Sequence, residues 1–392
     1  MRKNFRQSSA SIVAGLITAL LGMMAPAAAD QLTLKIGIQG VFSGELASYG
    51  ERQKGGITFA LKKAGEVVVA GQPLKIELVY VDDQGSAEKG PIAAQQLIDA
   101  KVNVVIGPGF SGPTAAALPL FKQAKIPAIS PFTSADNLAT LGGGWYFRVS
   151  SRSSCQGEVL ASIAKAFHAE KVDIVDDNEA YGTDISKAVA KNLESVGIKI
   201  IGQYHGSRGI TDWSPVIQRL RQDDPDIVFY DGYHTEGGRL FQQARDRGVT
   251  ARFLGSDGIA DPGIVKVADP AKLTKLGAIR MIPPEFVEGS MSDDFRRFQA
   301  DYPPFAESEH LSLTAVDSYV INSFDATNVL LDAVKRAGSV DGAAIADAIR
   351  TTSYIGLTGA FKYDANGERA ACRSTYFEFD GQAFKPVLKP GG

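Results

Sequence analysis

Short apolar runs alternate with helical patterns along nearly the whole chain, and no other feature restricts the fold as much. LKIGIQ is followed by RQKGGITFALKKAG, LKIELVYV by AEKGPIAAQQLIDA, VNVVIG by PTAAALPLFKQA, and KIPAIS by ADNLAT. Strands separated by helices make parallel βαβ units, because parallel neighbours need a crossover between them. The rhythm restarts at KVDIVDD, with DISKAVAKNLESVG, IKIIGQYH, SPVIQRLRQD, DIVFYDGY, EGGRLFQQARDRG and ARFLGSDG behind it. The expected fold class is α/β, with two doubly wound α/β lobes. At 392 residues, 44% of them hydrophobic, the chain has material for two such cores.

The junctions suggest how the lobes are joined. YFRVSSRSS (Tyr146 to Ser154) and RMIPPEFVEGS (Arg280 to Ser290) lie where one lobe ends and the other begins. The late helical segments SLTAVDSYVINSFDATNVLLDAVKRAG and AAIADAIR need a sheet to cover. If they return to the first lobe, that lobe comprises residues 30–150 with about 282–371, and the second comprises 151–281 with about 372–392. Several crossings make a multi-strand hinge. A hinge between two α/β lobes makes a cleft walled by the carboxyl ends of parallel strands, the usual ligand position in open α/β sheets.

Residues 1–29 read as a secretory signal peptide: Arg2, Lys3 and Arg6, then IVAGLITALLGMMA, then Ala27-Ala28-Ala29 as a cleavage site. That apolar run falls short of the roughly 20 residues needed to span a bilayer, so the chain is expected to be exported and periplasmic and not an integral membrane protein. Cleavage would remove three basic residues and move the net charge from −3 to −6. A mildly acidic chain without a basic run lacks the electrostatic footprint of a nucleic-acid or anionic-membrane partner. The two cysteines, Cys155 and Cys372, fall near the first and last crossovers, and in an oxidising compartment an isolated pair is expected to bond.

The loop of VNVVIGPGFSGPTAAALPLF matches two nucleotide signatures in part and satisfies neither. Pro113 stands where a phosphate loop needs its Lys, and no acidic residue lies between Gly112 and Asp136 to complete a dinucleotide fingerprint. What remains is a strand end, close-approaching glycines and a helix start with Pro113 in its first turn, an arrangement whose N–H groups attract an anion. SPFTSADNL repeats it, with Ser134 as an N-cap before a short helix. Ser111 and Ser134 read equally as helix caps, and Asp257 as the shaper of a D-G turn. No enzyme motif is complete: GFSGP is not G-x-S-x-G, and His168, His205, His234 and His310 show no metal-ligand spacing. No catalysis, metal or cofactor is expected.

Seven segments, in order, resemble the periplasmic leucine/isoleucine/valine-binding proteins of ABC importers, which have a type I periplasmic-binding fold. They are FSGELASYG, YVDDQG, VIGPGFSGPT, AISPFTSADNLAT, DDNEAYG, YDGYHTEGG and FLGSDG, spread across most of the chain. The resemblance implies a small amino acid as ligand and ABC permease subunits as partners. It places Ser111, Thr133 and Ser134 at the ligand carboxylate, Asp257 at the amine, Tyr181 and Tyr233 as aromatic contacts of the second lobe, and Tyr49 beside the side-chain pocket. The sequence departs from the family at Phe132, where a small residue is usual, and at Asp257, one methylene shorter than the Glu of many relatives. The family's late aromatic contact does not align with HLSLTAVDSY. These departures leave open a ligand that is a non-α-amino-acid carboxylate or amide, and the fold leaves open a sensor role.

Overall fold

The computed structural model describes residues 31–283, 292–369, 372–387 and 391. The expected signal peptide lies outside these residues, as does much of RMIPPEFVEGS.

The first half of the chain runs β1 (Thr33–Gly40), α1 (Ala47–Ala64), a small hairpin of β2 (Val68–Val69) and β3 (Gln72–Pro73), β4 (Lys75–Asp82), α2 (Gly90–Asp99), β5 (Val104–Ile106), α3 (Ser111–Gln123), β6 (Ala128–Ser130), α4 (Leu138–Gly142) and β7 (Tyr146–Arg148). Its sheet has the order β4-β1-β5-β6-β7, with every pairing parallel. The central strands β5 and β6 are buried throughout, which is why VVI and AIS read as unbroken apolar runs.

The pattern recurs as α5 (Ser153–Ala166), β8 (Lys171–Asp176), α6 (Ala180–Ser195), β9 (Lys199–His205), α7 (Ser214–Asp223), β10 (Ile227–Asp231), α8 (His234–Asp246), β11 (Arg252–Gly255) and β12 (Leu276–Arg280). After α9 (Asp293–Ser308), α10 (Ser318–Ala337), α11 (Gly342–Arg350) and a hairpin of β13 (Ile355–Gly356) and β14 (Gly359–Ala360), the chain ends in β15 (Thr375–Phe379) and β16 (Phe384–Pro386). The second sheet has the order β16-β15-β12-β11-β10-β8-β9. Strands β8 to β12 pair in parallel, while β15 and β16 add antiparallel to its edge. Each sheet therefore carries the same five-strand winding, with strand order reversing beside β1 in one and β8 in the other. That reversal point is where open α/β sheets bind ligands.

The late helices cover the first sheet. Val329, Leu330, Val334, Ile345 and Ile349 share a buried cluster with Leu34, Ile36, Ile38, Val104, Ile106 and Ile129. Helix α10 approaches α1 closely because Gly56 faces it: a Cβ there would lie 2.4 Å from the Val320 carbonyl oxygen. Asp317 caps α10, accepting from Tyr319 and Val320 N–H at 3.0 Å each. Because β15 then rejoins the second sheet, the described elements change sheet three times along the chain.

Cys155, in the first turn of α5, and Cys372, just before β15, form a disulfide with their Cα atoms 5.5 Å apart. It ties two of these passages together across 217 residues of sequence. A bond closing so long a loop removes denatured-state entropy worth a few kcal/mol. Replacing both cysteines by Ser is expected to lower stability by about 2–5 kcal/mol, read as a shift in the denaturant midpoint at unchanged secondary structure.

Candidate functional site

The strand-to-helix turns of the two sheets face one another, and their first residues enclose a small cavity. From the first sheet come Gly109, Phe110 and Ser111, between β5 and α3, and Phe132, just after β6; Tyr49 on α1 and Tyr319 on α10 complete that side. From the second come Tyr181 in the first turn of α6, Tyr233 immediately before α8, and Asp257 just after β11. The free space is about 10 Å³, on the scale of one water.

Gly107 lets the β5 turn form. Its φ is 122°, and a Cβ there would sit 2.2 Å from the Gln39 carbonyl oxygen, so no side chain fits between the turn and β1. Helix α3 then begins at Ser111 with Phe110 as its N-cap. The opening N–H groups of a helix have no intrahelical acceptor, and here they stand at the cavity together with the Ser111 hydroxyl. That hydroxyl accepts from Ala135 N–H at 3.3 Å.

The opposite wall centres on Asp257, which is buried. The Tyr181 hydroxyl donates to its Oδ1 at 2.7 Å and the Tyr319 hydroxyl to its Oδ2 at 3.2 Å. Gln156 Oε1 accepts from the Asp257 N–H at 3.3 Å. No ion pair to Asp257 occurs among the described residues. Burial pushes its carboxyl above the ordinary range, although the bonds from Tyr181, Gln156 and Tyr319 pull the other way. Burial also pushes the phenols of Tyr49, Tyr181, Tyr233 and Tyr319 well above their ordinary value, so all four remain donors.

Aromatic rings fill the rest. Phe110 and Tyr233, from opposite sheets, stack with centroids 4.3 Å apart, and Tyr181 continues the stack at 5.1 Å from Tyr233. Tyr49 meets Tyr319 edge-on at 4.9 Å, and Phe132 meets Tyr319 edge-on at 5.2 Å. The Tyr49 hydroxyl donates to the Gly258 carbonyl at 3.0 Å, a second link from first-sheet to second-sheet elements.

This arrangement has an acceptor of negative charge at one wall, hydroxyl and helix N–H donors at the other, and rings between. The sequence of residues 33–383 matches the periplasmic binding protein family. The chain belongs to that family. It is 26% identical over 364 residues to a leucine-, isoleucine-, valine-, threonine- and alanine-binding protein of Pseudomonas aeruginosa, covering 91% of this chain and 92% of the relative. A leucine-binding protein of Thermotoga maritima superposes with a TM-score of 0.81 at 24% identity, over 91% of this chain and 98% of that one. A solute-binding protein of an ABC transporter from Rhodopseudomonas palustris, crystallised with p-hydroxybenzoic acid, superposes at 0.77 with 20% identity, over 91% of this chain and 96% of that one. The fold of this family member is accordingly the type I periplasmic-binding fold.

Of the expected site residues, Tyr49, Ser111, Tyr181, Tyr233 and Asp257 line the cavity, and Thr133 and Ser134 do not. The Thr133 hydroxyl is spent on Ser130 Oγ and the Tyr146 hydroxyl, each at 2.6 Å. Ser134 caps nothing, because α4 starts at Leu138 with Asn137 as its N-cap; its buried hydroxyl has no partner among the described residues. Phe132 does enter the cavity. Three contributors had no signal of their own in the sequence: Phe110, Gln156 and Tyr319, the last inside the segment that resisted alignment. A larger cavity, about 540 Å³, lies elsewhere, against α9 and the β13–β14 hairpin.

A second buried acid lies at the same end of the second sheet. Burial, followed by the neighbouring carboxylates of Glu179, Asp176 and Glu236, pushes Asp177 up to about 8. The folded chain then holds a proton that the unfolded chain releases above the ordinary value of 3.8, so this contribution to stability is full below that value and is lost as pH rises towards about 8. Buried Asp231 acts in the same direction. Denaturant midpoints are expected to fall across that window, with a shallower slope in Asp177→Asn.

Proposed function

We propose that this protein is an extracytoplasmic solute-binding protein that captures a small amino acid between its two lobes and delivers it to the permease subunits of an ABC importer. The lobes are residues 30–150 with about 282–371, and 151–281 with about 372–392, and the first 29 residues are a cleaved signal peptide. Among the described residues, no helix is long and apolar enough to cross a membrane. The observation that carries the reading is Asp257: a buried carboxyl held by two phenol donors and lacking a formal counter-charge among the described residues, in a cavity whose far wall donates to anions. An α-amino acid supplies the missing ammonium to Asp257 and its carboxylate to Ser111 and the start of α3. Tyr181, Tyr233, Tyr49 and Phe132 form the apolar wall for its side chain.

The free space of about 10 Å³ is too small for such a ligand. Entry requires parting Phe110 from Tyr233, which come from opposite sheets, so binding and lobe motion are one process. Ligand touching both lobes favours the closed arrangement through contacts absent from the open one. The altered outer surface is what membrane subunits read.

The number of rings favours a second reading, an aromatic carboxylic acid without an amine, as in the complex of the Rhodopseudomonas palustris protein. The two readings differ in the sign of a pH effect. An ammonium needs Asp257 ionised, so amino-acid binding expels its proton and affinity should strengthen as pH rises through the raised carboxyl range. An acid lacking the amine tolerates only the neutral carboxyl, and its affinity should weaken over the same interval. Calorimetry with the twenty amino acids and with benzoate and p-hydroxybenzoate, at several pH values, distinguishes them. Asp257→Asn should flatten either slope and cost amino-acid binding at least a hundredfold, in line with about 3–5 kcal/mol for stranding one member of a buried pair. Undiminished amino-acid affinity in Asp257→Asn would remove the amino-acid reading.

Ser111→Ala tests the other wall. A hydrogen bond to a charged group contributes about 1.5–3 kcal/mol, so the variant should bind either class of carboxylate roughly ten- to a hundredfold more weakly. The corresponding decarboxylated amine should bind poorly to the wild type and equally poorly to the variant.

A further inference from the structure

Behind the cavity wall, an arginine joins elements of the two sheets. Arg52, on α1, is 2% exposed and pairs through Nη2 with Asp261 Oδ2, itself 1% exposed, on the loop after β11. Its Nη1 pairs with Asp317 Oδ2, the α10 cap, at 3.0 Å. The guanidinium carbon lies 5.0 Å from the ring centroids of both Tyr49 and Tyr319, two walls of the cavity. Asp261 also accepts from Gly263 N–H at 2.6 Å and lies 3.8 Å from His234 Nδ1.

We propose that Arg52 and Asp261 form a dry interlobe latch, a positioning pair that stabilises the closed arrangement and through it ligand affinity. The proposal rests on the reading of the protein as a two-lobed clamp.

The partners divide cleanly. Asp317 and Arg52 belong to helices covering the first sheet, whereas Asp261, Gly263 and His234 belong to second-sheet elements. When the lobes part, Arg52 keeps Asp317 and Ser48 Oγ, the latter at 3.1 Å, while Asp261 keeps the Gly263 N–H. Arg52 then retains a formal counter-charge, and Asp261 retains a backbone donor in a cleft open to water, which avoids most of the cost of stranding a buried charge. The pair therefore suits a contact made and broken repeatedly. Burial alone would press Arg52 to give up its proton, but the Asp317 and Asp261 carboxylates outweigh it and hold the guanidinium charged. Another ion pair between first-sheet and second-sheet elements lies nearer water: Glu45, which pairs with Arg239 at 3.0 Å, is 63% exposed. Exposed pairs of that kind contribute little. Among the described residues, Arg52–Asp261 is the one ion pair between the two groups of elements that is buried on both sides.

The test uses Arg52→Gln, Asp261→Asn, which retains an N-cap acceptor, and the double variant. L-leucine is the probe, with small-angle scattering of the ligand-free protein as a ligand-independent readout. Each single variant should bind L-leucine at least about tenfold more weakly, because a contact present only when closed shifts that equilibrium by its own free energy. The loss should appear in the dissociation rate, and the scattering should report a larger radius of gyration. The double variant should be no weaker than the worse single one, since both remove one contact. The latch is refuted if both single variants keep wild-type affinity within about twofold and wild-type scattering, or if their effects add. If the wild type does not bind L-leucine, the amino-acid reading suffers while scattering still judges the latch. If Arg52→Gln does not fold, Asp261→Asn decides alone.

Discussion

A parallel strand hands its chain to a helix at its carboxyl end, and this constraint organises everything else in the molecule. Two sheets wound the same way turn those ends towards each other, so the starts of α3, α6, α8 and α10 and the turn after β11 meet in one small volume. The first turns of helices carry free N–H groups and the positive end of the backbone dipole. A site so built attracts anions from several directions before any side chain is chosen, and its selectivity must come from what the side chains add.

What they add is one negative group and a set of rings. Among the described residues Asp257 has no ion-pair partner, and it is held by the phenols of Tyr181 and Tyr319. Such a carboxyl is electrostatically unfinished, and the proposed ligand ammonium would complete it. The same two phenols belong to the aromatic wall, so the residues that orient the acid also shape the space around the ligand. The stack of Phe110 on Tyr233 spans the two sheets, which makes the cavity and the closed arrangement a single packing problem.

Two tethers close to where the two groups of elements meet differ in character. The Cys155–Cys372 disulfide is covalent and lies at the crossovers, where it limits how the passages separate. Arg52 with Asp261 lies behind the cavity, and when it breaks Arg52 still has Asp317. One holds the hinge together and the other holds the mouth closed. Tyr49 connects the latch to the cavity, since its ring supports the Arg52 guanidinium and its hydroxyl donates to Gly258 beside Asp257.

The sequence by itself determined the alternation of strands and helices, the restart of the pattern at KVDIVDD and the family, because buried parallel strands and their covering helices need apolar runs of particular length and period. It also marked positions governed by local chemistry: Gly107, where no Cβ fits, Ser111 at a helix start, and Asp257 at a strand end. The tertiary structure decided which hydroxyls face the cavity. Thr133 and Ser111 look alike in sequence, but the loop after β6 folds back so that Thr133 bonds Ser130 and Tyr146 instead. Ser134 reads as a cap, yet α4 begins four residues beyond it. Phe110, Gln156, Tyr319 and Arg52 were silent for a common reason. Each acts through partners far away along the chain, Arg52 reaching Asp261 across 209 residues, and no local period or spacing records a contact that exists only once both sheets have formed and met.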